Sequence, residues 1–91
     1  MKEVYPIIIS KEKDSYYVEI PTFNIATQGK DLPDAIFMAR DAIGLLGITM
    51  EDNGEEIPKA ILENVKKEKD TDIITLVDVD FSEYRKKYDN I

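Results

Sequence analysis

The sequence predicts an α+β fold of two layers: a three-stranded antiparallel sheet plus a fourth strand packed on one main helix, in the order β-β-β-α-(α)-β-α over 91 residues. Three observations carry that prediction. The N-terminal part holds two runs rich in Val, Ile and Tyr, the second of which alternates apolar and polar residues with the period of two, the middle switches to the three-and-four spacing of a helix, and a late run, "IITLVDVDF", is again strand-like.

The stretch "VYPIIISKEKDSYYVEIP" is two runs rich in Val, Ile and Tyr around a polar turn, Lys11 to Ser15, and so predicts a hairpin. In the second run Tyr16, Val18 and Ile20 share one face while Tyr17, Glu19 and Pro21 share the other, as in a half-buried antiparallel strand. Pro6 and Pro21 are expected near strand ends, where a missing N–H is tolerated. "TFNIATQG" adds a short third strand centred on Ile25 to Thr27 and closed by Gly29.

In "KDLPDAIFMARDAIGLLGITMEDNG" the residues Leu32, Ala35, Ile36, Ala39, Ile43, Leu46 and Met50 align in one helical stripe. Asp31 is a good N-cap, Pro33 suits the first turn, and Asp34 stands three residues on like the far half of a capping box. Gly44 and Gly47 are anomalous, since each costs about 1 kcal/mol against Ala in a helix interior. Close packing against the sheet or a neighbour, an early helix end, or a hinge would account for them. Further on, a short helix from Pro58 to about Val65 would lay Ile61, Leu62 and Val65 against the body. The strand "IITLVDVDF" follows, and "SEYRKKY" reads as a terminal helix turn capped by Ser82.

Composition removes whole classes of chemistry. With no cysteine there is no disulfide, thiolate nucleophile or Cys-based zinc site, and with no histidine the commonest acid/base group and metal ligand is missing. The 19 acidic against 12 basic residues give a formal charge of −7, opposite to the footprint of a nucleic-acid binder and attractive to basic partners. No apolar run approaches the ~20 residues of a membrane span, and "MKEVYPIIISKEKD" lacks the long apolar centre of a signal peptide, so a cytoplasmic protein is expected.

The sharpest catalytic reading takes Asp78 and Asp80, with Glu19 and Asp14, as a carboxylate cluster for magnesium. The alternation argues against it: Val77, Val79 and Phe81 take the apolar face, which leaves Asp78 and Asp80 on an outer sheet surface expected to be polar. Ser10, Ser15 and Ser82 have no histidine base, and neither "QGK" nor "IGLLG" has the form of a phosphate loop. The clusters "SKEK", "VKKEK" and "YRKKY" mix acids with lysines, as solvated faces do. No catalytic residue, metal or cofactor is therefore expected. An interaction role remains, because Phe37, Leu45 and Ile48 lie outside the helix's main stripe and surplus apolar surface marks an oligomer or partner interface.

Taken together, "YVEIPTFNIATQGKDLPDAIFMARDAIGLLG", the following "IP" and "TLVDVDFSEYRKKYDN" resemble the HicB-like antitoxins of bacterial toxin–antitoxin pairs. The resemblance rests on Pro21, on Thr27 with Gly29, on Asp34 with Ala35, on the run Val77 to Asp80, and on Tyr84 with Arg85, in that order over nearly the whole chain. It implies a partial RNase H-like fold without a nuclease site, and a function: masking a small, basic, mRNA-cleaving toxin of the HicA type. On this reading residues 1–81 are the antitoxin domain and 82–91 start a linker, with the DNA-binding domain that family members carry next, and hence operator binding, expected to be absent from the chain as given. The family also implies dimers or higher oligomers.

Occlusion is the mechanism that fits such a role. Glu19, Glu51, Asp52, Glu55 and Glu56 are the acids expected to draw a cationic toxin, with Phe37, Leu45 and Ile48 serving the same contact or self-association. The alternatives are an acidic homo-oligomeric scaffold without a toxin partner, and a magnesium-dependent nuclease.

Overall fold

A computed structural model describes residues 1–89, so the last two positions of the expected 82–91 tail lie outside the described residues. Strands β1 (Lys2–Lys11) and β2 (Tyr16–Ile20) form the hairpin, a 3₁₀ turn (Pro21–Phe23) leads to β3 (Ile25–Gly29), and α1 (Leu32–Asp52), β4 (Ile73–Asp80) and α2 (Phe81–Asp89) complete the chain. The four strands make one antiparallel sheet in the order β3-β2-β1-β4. The order is α+β, and the late strand closes the sheet beside the first.

One face of the sheet is the core. Tyr5, Ile7 and Ile9 of β1, Val18 and Ile20 of β2, and Val77 and Val79 of β4 meet Ala35, Ala39 and Ile43 of α1, with Phe81 sealing one end. Burial of each large side chain is worth about 1.5–3 kcal/mol, while the alanines let the helix approach the strands closely. Helix α1 begins as its sequence predicts: the Asp34 N–H donates to the Asp31 carboxylate at 2.8 Å. The returning carboxylate of Asp34 accepts from the Lys30 N–H at 2.9 Å, one residue earlier than a capping box would place it.

Pro6 stands in the middle of β1 and not near its end. The register explains how a central strand tolerates it. Continuing the pairing of Ile8 with Glu19 by two residues would set Pro6 opposite Pro21, a pair with no N–H to offer, so the β1–β2 ladder stops and the chain turns into the 3₁₀ segment. Asn24, left-handed at φ 54°, then reverses the chain into β3.

Two elements differ from expectation. Residues 53–72 form an irregular connection with no helix over 58–65. Its path is held by long-range bonds: the buried Tyr5 hydroxyl donates to the Pro58 carbonyl at 2.8 Å, and the Ile61 N–H to the Thr22 hydroxyl at 3.1 Å. Ile57 and Ala60 reach the core, whereas Ile61 and Leu62 point to solvent. Helix α2 starts one residue earlier than Ser82, at Phe81, with Asp80 as its cap: the Ser82 N–H donates to the Asp80 carboxylate at 3.0 Å. The boundary expected between 81 and 82 thus falls inside α2.

Gly44 and Gly47 are explained by α2. A Cβ on Gly44 would lie 2.5 Å from the Tyr84 ring, and one on Gly47 would run into the ring of Phe81. The missing side chains form the seat of α2 on α1.

Candidate partner interface

The end of α1 places most of the predicted acids. The Gly54 N–H donates to the Glu51 carbonyl at 3.0 Å and the Glu55 N–H to the Met50 carbonyl at 2.8 Å, with Gly54 left-handed at φ 76°. This is the Schellman arrangement, which only a residue tolerant of positive φ allows, and it folds Glu55 and Glu56 back beside the helix end. Glu55 and Glu56 then line, with Glu3, Glu51, Ile57 and Lys59, a shallow concavity of about 340 Å³.

Glu51 and Asp52 are already engaged. Arg85 of α2 donates to the Asp52 carboxylate at 2.7 Å, to Glu51 at 3.0 Å and to the Ile48 carbonyl at 3.3 Å. Glu19 is elsewhere, on the face of the sheet turned away from α1, opposite Ile8 of β1. The structure therefore brings together Glu51, Asp52, Glu55 and Glu56 and leaves Glu19 apart.

The apolar candidates also separate. Phe37 is 54 % exposed on α1 and Leu45 half-buried, but Ile48 is only 7 % exposed. Ile48 is thus corrected from surface to interior: α2 lies along that side of α1, with Arg85 at its carbonyl, and a helix alone could not reveal this neighbour.

Asp78 and Asp80 have structural partners. Arg40 of α1 donates from Nε to the Asp78 carbonyl at 2.8 Å and from Nη2 to its carboxylate at 3.0 Å. That hydrogen bond and the guanidinium charge hold the Asp78 carboxyl below the usual carboxylate range. Asp80 caps α2 and lies 3.9 Å from the N-terminal ammonium. Asp14 is in the β1–β2 turn, and among the described residues no three acids converge as metal ligands. Burial, followed by the nearby Asp41, pushes Tyr84 up to about 12, and burial pushes Tyr5 up to about 12, so both hydroxyls stay protonated hydrogen-bond donors.

One feature was not expected from the sequence. The outer sheet face is not simply polar: Leu76 is 57 % exposed, and Val4, Tyr17 and Ile74 are each 41 % exposed. The signal was present in "VYPIII" and "IITLV", where apolar residues occupy consecutive positions instead of alternate ones, so that both faces of those strands are apolar.

Fold and surface together define a small acidic α+β domain whose distinctive chemistry lies in exposed charged and apolar surfaces. The chain belongs to the HicB-like antitoxin family: the family model described as "HicB_like antitoxin of bacterial toxin-antitoxin system" matches residues 5–91. None of the curated proteins compared with the chain matches it. Among solved structures, a chain of "Toxin-Antitoxin complex from Streptococcus pneumoniae" has the same fold, with a TM-score of 0.76 at 22% identity over 92% of this chain and 73% of that one. Among the described residues no helix is long and apolar enough to cross a membrane.

Proposed function

We propose that this chain neutralises a small, basic, mRNA-cleaving toxin of the HicA type by binding it and covering its RNA-cleaving surface in the cytoplasm. The observation that carries this reading is the family match over residues 5–91. The charge agrees with it: a net −7 draws a cationic partner from a distance and repels the RNA that the partner would otherwise bind. The chain acts here as a binder and not as an enzyme, since Asp78 is tied to Arg40 and Asp80 to the start of α2. Glu55 and Glu56, free of the Arg85 pairing that occupies Glu51 and Asp52, are the better placed of the clustered acids to steer the toxin.

The test is co-expression with the product of the adjacent reading frame. A basic, histidine-containing product whose toxicity the chain relieves, and which co-purifies with it, supports the reading. Glu55→Lys with Glu56→Lys should weaken rescue. A neighbouring product that neither binds nor is neutralised overturns the reading, and self-association in its place supports the homo-oligomeric scaffold.

A further inference from the structure

The open face of the sheet carries a continuous apolar strip. The register sets Ile8 beside Ile74 and Pro6 beside Leu76, with Val4 next along β1 and Tyr17 on β2; Ile8 and Pro6 are themselves buried, while Val4, Tyr17, Ile74 and Leu76 around them stay exposed. Exposed apolar side chains grouped in this way, and not scattered singly, mark an interaction surface.

The strip runs out to an unpaired strand edge. Among the described residues strand β4 lies at the end of the sheet and pairs only with β1. Because the Asp78 carbonyl is given to Arg40, it points away from β1; strand alternation turns the backbone N–H and C=O of Leu76 and Ile74 outward as well. Arg40 covers the edge at Asp78, which leaves Ile74 and Leu76 as an uncovered template whose side chains belong to the apolar strip.

Charge selects the occupant. A second copy of this chain would bring a surface of the same sign to the edge. Each copy carries a net charge of −7, and the two would repel. A basic strand meets the opposite situation, drawn by the net negative charge of the domain, with Glu19 across the strip in the row of Ile8 and Ile74.

We infer that the cationic toxin partner seats on this open face and adds one of its own strands to β4 at Ile74 and Leu76, an assignment that rests on the antitoxin reading above. Main-chain bonds at the edge would supply affinity, and the apolar strip beneath it would set the position of the partner.

The experiment measures binding of the basic product of the adjacent reading frame to the full chain and to two variants. Leu76→Pro removes an N–H that faces away from β1, where proline is tolerated, together with the Leu76 side chain of the strip, and Ile74→Glu with Leu76→Glu places charge on the strip. Each should weaken binding about 30-fold or more. Amide hydrogen exchange on the unmodified chain provides a measurement independent of variant folding: Ile74 and Leu76 should exchange rapidly alone and slowly in the complex. A wild-type complex with unchanged exchange at Ile74 and Leu76, or loss of binding in Phe37→Glu but not in Ile74→Glu with Leu76→Glu, overturns the surface assignment and leaves the antitoxin reading intact. Absence of any wild-type complex overturns both.

Discussion

Gly47 shows how a single missing methyl group positions a whole helix. In isolation Gly47→Ala should stabilise α1 by about 1 kcal/mol of helix propensity. Here the added methyl would enter the ring of Phe81, and overpacking a filled interface typically costs about 1–3 kcal/mol. We predict net destabilisation of about 1–2 kcal/mol by urea unfolding. Phe81→Leu in the same chain should recover part of that loss, and strict additivity of the two changes would show that they do not meet. The glycines were visible as anomalies in a helical pattern, but the residues they accommodate lie more than thirty positions on, a separation that helical periodicity does not register.

Asp78 makes a second prediction at this scale. Its folded-state carboxyl is held below the ordinary value of 3.8, first by the hydrogen bond from Arg40. A depressed carboxylate contributes stability that is fully present above the unfolded value and is lost as pH falls through the folded one. The stability difference between the wild type and Asp78→Asn should therefore be constant near neutrality and shrink below about pH 3.8. Acid titration of the unfolding free energy checks the sign; a difference that widens on acidification would assign the effect elsewhere.

At the scale of elements, α2 is attached to the body by two kinds of contact, and magnitudes decide between them. Phe81 is 2% exposed and belongs to the core, whereas the Arg85 pairs with Glu51 and Asp52 are exposed to solvent and of a kind worth about 0–1 kcal/mol. Phe81→Ala should cost about 3 kcal/mol and Arg85→Ala less than about 1 kcal/mol in the same urea experiment. A larger loss for Arg85→Ala would mean that charge and not packing fixes α2. Strand β2 and helix α1 were legible from period, since each buries one consistent face, whereas β1 and β4 were legible from their runs of β-branched residues, β1 being buried on both faces from Tyr5 to Ile9. The connection over residues 53–72 was not: "PKAILENV" has an acceptable helical pattern, but a helix of that length is marginal in water, and the tertiary bonds to Tyr5 and Thr22 favour another path. Likewise both Asp80 and Ser82 are competent caps, and Ser82 is taken instead as acceptor for the N-terminal ammonium at 2.6 Å.

Among the described residues the helices cover one side of the sheet. The whole molecule's Cα trace measures 18 Å on the shortest axis, room for one layer of helix on one sheet, and on the second face Val4, Tyr17, Ile74 and Leu76 stay accessible while Pro6 and Ile8 are buried. Net charge was legible at this scale and the apolar face was not, since consecutive apolar positions also describe a strand buried on both sides. These two properties separate the rate from the lifetime of a complex. The −7 charge is a property of the whole surface and acts before contact, so it governs encounter; the open face acts only after contact and governs dissociation. Raising salt from about 0.05 to 0.5 M, which shortens the Debye length from roughly 14 to 4 Å, should slow association of the toxin several-fold or more while leaving the dissociation rate nearly constant. Ile74→Glu with Leu76→Glu should show the reverse, faster dissociation with little change in the salt dependence of association. Stopped-flow or surface-based kinetics resolve the two constants, and a dissociation rate that rises steeply with salt would mean that ion pairs, and not the sheet face, hold the complex together.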